Sequence, residues 1–142
     1  MKKKILATLL SSGIALSAIS VALAAPMGIV NTEASMSKVT STAGGEKHFV
    51  ISSKGVTKDI SSRVKASDVD EVVLVATIYR NAKKLNTKTM IDSQVKTLTA
   101  KLNDQEEYGT GDWEVGARGE FFYSDGTSES RFHSVDAYYV VN

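Results

Sequence analysis

The chain has 142 residues, 42% hydrophobic and 23% charged, a composition that indicates one folded domain rather than a disordered tail. Its 17 basic and 16 acidic residues leave a net charge of +1, which gives no overall attraction to nucleic acid. Because the chain has no cysteine, disulfides, thiolate zinc sites and cysteine nucleophiles are excluded.

The first 34 residues are predicted to be an export signal. Residues 2–4 are three lysines, and residues 5–25 are uncharged and mostly apolar. This order of a basic start and an apolar stretch is that of a secretory signal peptide, and it resembles the long signals of small Gram-positive secreted proteins. The protein would then contact the membrane only through this segment, during export. An uncleaved anchor is the alternative, because about 20 apolar residues can span a bilayer.

Two positions in this segment fit the small-x-small rule for signal cleavage. One cut follows Ala24 and the other follows Ala34. We favour the second, which makes Ser35 the first residue of the working protein, because Pro26 lies close behind the first cut and its ring hinders extended binding in a peptidase cleft.

The working protein is predicted to begin with a flexible lead-in over residues 35–47, which are small and polar. The folded domain then covers 48–142 and starts with a short apolar run at 48–52. Alternation over 56–64 predicts a half-exposed strand. Its predicted inner side chains are Val56, Ile60 and Val64, and its predicted outer ones are Thr57, Asp59, Ser61 and Arg63.

Residues 72–79 are the most apolar stretch of the domain and are rich in β-branched side chains. They predict a central strand that is covered on both faces. Residues 87–102 are ambiguous between a helix, for which Ile91, Val95 and Leu98 have the right spacing, and strands, which the threonines favour. We favour one or two strands because the neighbouring segments are predicted to be β.

Residues 112–141 predict a β-hairpin. Apolar residues alternate with polar ones from Trp113 to Tyr123, and the Asp125-Gly126 pair readily takes the positive φ values of a tight turn. A second alternating strand follows, with His133 and Val135 on one parity.

Short strands between turn signals predict an all-β fold, a small antiparallel β-sandwich. Tyr108, the run from Trp113 to Tyr123 and the Asp125-Gly126 turn resemble the penultimate strand and final hairpin of immunoglobulin-like domains, including fibronectin-III-like ones. The tryptophan that such domains carry in an earlier strand is absent. The resemblance covers about 30 residues and implies architecture only, since these sandwiches serve many functions.

Catalytic and metal-binding arrangements are not predicted. His133, Ser134 and Asp136 are the residue types of a hydrolase triad, but neighbours on a strand point to opposite faces. His48 and His133 are the two histidines, and nothing in the sequence brings them together. The acidic residues Asp104, Glu106, Glu107 and Asp112 read as a solvated loop, because their spacing does not match a calcium loop. No cofactor is predicted, and the protein is expected not to be an enzyme.

Two groups of residues are candidates for binding a partner. The aromatic residues Phe122, Phe132 and Tyr138 lie on the hairpin parity opposite to Trp113, where an exposed patch would mark a partner or glycan surface. The basic residues Arg80, Lys83, Lys84 and Lys88 follow the central strand and could contact the phosphates of cell-wall polymers.

The favoured hypothesis is a secreted, non-enzymatic β-sandwich protein that acts by surface contact. Its partner would be an extracellular protein, a glycan or a cell-wall polymer. The alternative is a secreted toxin or bacteriocin-like effector acting on membranes or competitor cells, suggested by the small size and the basic residues. The near-neutral charge counts against it, because membrane-active peptides are usually cationic.

Overall fold

The computed structural model describes residues 24–43, 45–108 and 111–140, and these contain seven strands and one short 3-10 helix. The strands are β1 (Val30–Ala43), β2 (Glu46–Asp59), β3 (Val69–Arg80), β4 (Lys83–Asp92), β5 (Thr97–Tyr108), β6 (Gly111–Tyr123) and β7 (Ser128–Tyr139). The helix is Ala66–Asp68. The prediction of an all-β chain is confirmed.

The strands form two antiparallel sheets that pack face to face. One sheet has three strands in the order β1-β2-β5, and the other has four in the order β4-β3-β6-β7. Because strand side chains alternate between faces, each sheet has an inner face towards the other sheet and an outer face away from it. The predicted small β-sandwich is therefore confirmed.

The core lies between the sheets and is built mainly from alternate residues of β3 and β6. Its largest fully buried side chains include Trp113, Phe121 and Tyr123 of β6 and Leu74 and Ile78 of β3. The inward parity predicted for the hairpin is thus confirmed. Buried aromatic rings contribute large apolar areas, and this allows a small domain to be held by packing alone.

The central strand occupies β3 as predicted, but it is covered on one face only. Val72, Leu74, Ala76 and Ile78 are buried, whereas the intervening Val73 and Val75 are half-buried. The prediction of cover on both faces is wrong, because the second sheet packs on the inner side and no described element packs on the outer side.

Residues 87–102 fold as strands, as favoured. They form the second half of β4 and the first half of β5, separated by a turn at 93–96 in which Gln94 has a φ of +55°. Leu98, Ala100 and Leu102 point inwards and are buried. The helical spacing of Ile91, Val95 and Leu98 is therefore coincidental.

The predicted lead-in at 35–47 is wrong, because its described residues lie in β1 and at the start of β2. β1 begins at Val30 and pairs with β2 along its whole length, from Val30 opposite Asp59 to Ala43 opposite Glu46. The inward positions of β1 hold small or polar residues such as Thr32 and Ala34, so the strand has no apolar alternation to reveal it. The predicted cleavage residues Ala34 and Ser35 lie inside this paired strand.

The inside and outside faces predicted for 56–64 are inverted as far as Ser61, whereas Val64 is buried and Arg63 is exposed, as predicted; the strand itself ends at Asp59. Thr57, Asp59 and Ser61 are buried, whereas Ile60 is 56% exposed. Each buried polar group has a hydrogen-bond partner close by, for example the Thr32 hydroxyl 2.8 Å from the Thr57 hydroxyl. Partners of this kind remove the penalty of burying polar atoms.

The apolar segment predicted to be the signal lies mainly in residues 1–23, outside the described residues. Among residues 24–43, 45–108 and 111–140, no helix combines the length and apolar character needed to cross a membrane.

Candidate functional site

The outer face of the four-stranded sheet presents apolar and aromatic side chains to solvent. In its middle, β3 contributes half-buried residues, and the flanking strands contribute more exposed ones. The exposed large apolar side chains are Ile91 at 40%, Phe132 at 65% and Tyr138 at 64%. We call the apolar side chains of this surface the aromatic face: Val73, Val75, Tyr79, Ile91, Phe122, Phe132 and Tyr138. Charged side chains lie among them, since the exposed Arg118 pairs with both Val75 and Phe132, and Glu120 pairs with Val73.

The outer face of the three-stranded sheet has a different character. It carries mainly hydroxyl, amide and charged side chains: Asn31, Glu33, Ser35, Lys54, Lys58, Thr97, Thr99 and Lys101. Val39, Val50 and Val56 are the valines on the same parity. A polar face of this kind is what a sheet in contact with water alone requires. The two outer faces therefore differ, and the aromatic face is the one whose composition suits contact with a partner.

The three aromatic residues predicted as a site share this face but do not form one cluster. Phe122 lies opposite Ser128 in the register, and Phe132 lies opposite Arg118. Tyr138, opposite Asp112, is ten residues along β7 from Ser128. At 3.3 Å per residue, the three span about 33 Å. Phe122 is also half-buried, so the exposed pair is Phe132 and Tyr138.

The Phe132 ring lies over Gly116, a diagonal neighbour on β6 that has no side chain. A Cβ added to Gly116 would be 3.2 Å from Cε2 of the Phe132 ring. The ring thus covers the glycine backbone, which limits its rotamers before any partner arrives. A side chain ordered in advance loses less entropy on binding than a free one.

A shallow pocket of about 420 Å³ lies at the Tyr138 end of the aromatic face. Its lining residues are Tyr79, Ala82, Asp112, Trp113, Glu114 and Asp136. Glu114 and Asp136 are directly opposite in the β6–β7 register, an arrangement that is repulsive for like charges. The pocket therefore joins an aromatic ring to three carboxylates.

The sequence prediction did not find this pocket, because it depends on the register of the hairpin. Tyr123 N–H donates to the Thr127 carbonyl at 2.9 Å, and this pair encloses a loop of three residues, 124–126. The last of them, Gly126, has a φ of +85°. A two-residue loop at Asp125-Gly126 would shift the pairing by one residue, and Glu114 would no longer face Asp136. A two-residue type I′ turn would need a positive φ at Asp125 as well as at Gly126. Asp125 does not have one in the structure, and the sequence does not reveal this.

The rim of the pocket is held by the turn between β3 and β4. Asn81 and Ala82 both have positive φ, +49° and +64°, as in a type I′ hairpin turn. Asn81 N–H donates to the Asp112 carbonyl at 2.7 Å, and Asp112 N–H donates to Asn81 Oδ1 at 3.0 Å. These two bonds fix Asp112 relative to the turn.

The four predicted basic residues do not form one group. Lys83, Lys84 and Lys88 are exposed on β4, which is an edge strand rather than a loop. Arg80 is half-buried, with its guanidinium carbon 5.9 Å from the centre of the Trp113 ring. Lysines on an edge strand discourage pairing with other chains, so this role accounts for the three exposed ones.

The histidine that the structure describes in full acts as a hydrogen-bond acceptor. His133 Nδ1 accepts the Ala34 N–H at 3.0 Å and so links β7 to β1 at the side of the sandwich. Ser134 lies on the opposite parity of β7. Among the described residues, no three histidine, aspartate or glutamate side chains are placed to hold a metal. Asp104, Glu106 and Glu107 belong to β5 and not to a loop, and the side chain of His48 lies outside the description.

A buried carboxylate and phenol lie at the far end of the sandwich. The Tyr123 hydroxyl donates to Asp59 Oδ2 at 2.5 Å, and Ser61 N–H donates to Asp59 Oδ1 at 2.8 Å. Burial, together with the bond to the Asp59 carboxylate and its charge, raises the pKa of Tyr123 well above its ordinary value. Lys96 Nζ is 3.9 Å from the same carboxylate and donates to the Ser61 and Val64 carbonyls. Because every group is engaged within the fold, this cluster stabilises the sandwich.

Comparison with known proteins adds little to this description. No protein-family model matches the chain, and no curated protein matches it at a significant level. A crystal structure of a protein from Archaeoglobus fulgidus is similar at 11% identity, covering 79% of this chain and 98% of that chain, with a TM-score of 0.36. Similarity at this level supports no argument about function.

Proposed function

We propose that the chain is an exported, non-enzymatic β-sandwich protein that binds an extracellular or cell-envelope partner through its aromatic face. The observation that carries this proposal is the exposure of Phe132 and Tyr138, at 65% and 64%, on a sheet face that no described element covers. Exposed aromatic side chains are enriched among the residues that dominate protein interfaces.

The strand order supports an immunoglobulin-like arrangement of fibronectin-III type. If β1, β2, β3, β5, β6 and β7 are equated with strands A, B, C, E, F and G, then A, B and E share one sheet and C, F and G share the other. β4 then joins strand C at the edge of the second sheet, as an added C′ strand does. This arrangement concerns architecture only, because sandwiches of this kind serve many functions, and the proposal rests on the exposed side chains.

The charges beside the aromatic face favour a protein partner with basic side chains. At the Tyr138 end, Asp112, Glu114 and Asp136 outnumber the single lysine, Lys84, that lies opposite Tyr79, and they would repel an anionic cell-wall polymer. A lysine or arginine of a partner would meet three carboxylates and the Tyr79 ring, while an apolar group would meet Phe132. We therefore propose an extracellular protein with a mixed basic and apolar surface.

Binding of the fluorescently labelled, exported protein to intact cells of the native host tests the proposal. Phe132→Ala combined with Tyr138→Ala should weaken binding by at least about 30-fold, because truncating even one anchoring aromatic costs about 2 kcal/mol. Val39→Ala is the matched control, since Val39 is 61% exposed on the other sheet. It should leave binding unchanged.

Pretreatment of the cells distinguishes the partner classes. Loss of binding after protease treatment supports a protein partner. Loss after glycosidase treatment alone would instead point to a glycan and overturn the protein assignment. Equal binding by the wild type and by the double variant would overturn the proposed site.

A further inference from the structure

The first residues of β1 are part of the folded sandwich. Val30 and Ala34 are 4% and 6% exposed and belong to the core. Residues 30–34 pair with residues 55–59 of β2, and the Thr32 hydroxyl is bonded to that of Thr57. The Ala34 N–H is also the donor of the bond to His133 that links the two sheets. A cut after Ala34 would remove all of these interactions.

The segment before β1 is fixed to the sandwich as well. Met27 N–H donates to the Thr127 hydroxyl at 2.9 Å, and the Ile29 carbonyl accepts the Ile60 N–H at 2.8 Å. Gly28 is buried so tightly that an added Cβ would overlap the Asp59 carboxylate and the Tyr123 hydroxyl. Residues 27–29 thus close the end of the core over the buried Asp59–Tyr123 pair.

Residues 24–26, in contrast, are exposed and belong to no strand or helix. Ala22 and Ala24 supply the small residues that a signal-cleaving peptidase requires before its cut. Contrary to the expectation from the sequence, Pro26 does not obstruct this cut, because both its ring and its missing N–H lie outside the Ala24–Ala25 peptide unit. A proline also biases the residue before it, here Ala25, towards the extended conformation that a peptidase cleft binds.

From this contrast we infer that the export peptidase cuts between Ala24 and Ala25, so that the exported protein begins at Ala25 and keeps the whole of β1. Water adds across the peptide bond: its oxygen joins the Ala24 carbonyl carbon, the C–N bond breaks, and the Ala25 nitrogen takes up a proton as the new terminal amine. This inference rests on the proposed export of the chain and replaces the cut after Ala34 that the sequence favoured.

The test is the intact mass and N-terminal sequence of the protein that a secreting bacterium releases when it expresses the full chain. A single species beginning Ala25-Pro26-Met27 is the expected result. A species beginning at Ser35 would overturn the inferred site while leaving export intact. A product retained in the membrane with Met1 still attached would overturn both the site and the proposed export.

Substitution at the cut provides a second readout. Ala24→Phe should abolish processing and leave the full-length precursor at the membrane, because the position before the cut accepts only small side chains. Ile29→Phe is the control: Ile29 is 52% exposed, and the variant should still be released with Ala25 first. Release of the Ala24→Phe chain with Ser35 as its first residue would contradict the inference.

Discussion

Removal of the Tyr123 hydroxyl probes the polar cluster that closes one end of the sandwich. Tyr123→Phe keeps the ring, which is 2% exposed, but leaves Asp59 Oδ2 without its 2.5 Å donor. Hydrogen bonds to charged groups contribute about 1.5–3 kcal/mol, so we expect a loss of about 2 kcal/mol in the free energy of unfolding. At an m value of about 1.5 kcal/mol per molar urea, the midpoint falls by about 1.3 M.

The assay is urea unfolding followed by tryptophan fluorescence, because Trp113 is the one tryptophan and is 1% exposed. Its pH dependence adds a second measurement. The raised pKa keeps Tyr123 protonated in the folded state while an unfolded tyrosine ionises near pH 10. Its contribution is therefore complete below pH 10 and declines above it, by about 1.4 kcal/mol per pH unit.

The difference in stability between wild type and Tyr123→Phe should consequently be largest below pH 10 and shrink by about 2 kcal/mol by pH 11.5. Tyr138→Phe is the control, since Tyr138 is 64% exposed, and should change the midpoint little at any pH. If Tyr123→Phe were as stable as the wild type at pH 7, or if the difference did not change above pH 10, the reasoning about this cluster would be wrong.

Three further predictions concern packing, backbone strain and charge. Gly119→Ala should destabilise the fold by about 3 kcal/mol in urea unfolding, because an added Cβ would overlap the Thr57 side chain inside the sandwich; a change below 1 kcal/mol would refute the packing. Ala82→Gly should raise the stability by about 0.5–1 kcal/mol, because Ala82 has a φ of +64°, and thermal unfolding that is unchanged or earlier would contradict it. Asp136→Asn should raise the urea midpoint slightly at low salt and not at 1 M salt, because Asp136 faces Glu114; the same gain at both salt concentrations would exclude charge repulsion as its cause.

The parts of the fold that the sequence predicted are those in which large apolar side chains alternate. The hairpin of β6 and β7 and the central strand β3 have this signal; in β6, Trp113, Val115, Ala117, Phe121 and Tyr123 all lie on one parity. Burial of such side chains dominates the free energy of folding, so their alternating spacing in the sequence indicates a strand.

The parts that the sequence did not predict are held by small and polar side chains. β1 was not predicted: its first residues were assigned to the export signal and residues 35–43 to a flexible lead-in, because small side chains such as Thr32 and Ala34 give no apolar signal, although both are buried. The faces of the 56–59 segment were inverted because Asp59 and Thr57 are buried with partners 64 and 25 residues away in sequence. Long-range partners of this kind do not show in local periodicity.

The candidate site was predicted in part. Parity alone placed Phe122, Phe132 and Tyr138 on one outer face, and the structure agrees. Their separation along β7, and the pairing of Glu114 with Asp136, depend on a three-residue loop that the Asp125-Gly126 pair does not specify. Because a loop one residue shorter gives a different register, the shape of the site required the structure.

Oxidative footprinting of the exported protein, alone and bound to the surface of host cells, tests the central proposal most directly. Hydroxyl radicals modify exposed aromatic and aliphatic side chains, so the partner should protect Phe132 and Tyr138 while leaving Val39 and Ile60 as reactive as in the free protein. All four are at least 56% exposed, which gives each a measurable starting signal. Protection confined to Val39 and Ile60, with Phe132 and Tyr138 unchanged, would contradict the assignment of the aromatic face as the binding surface.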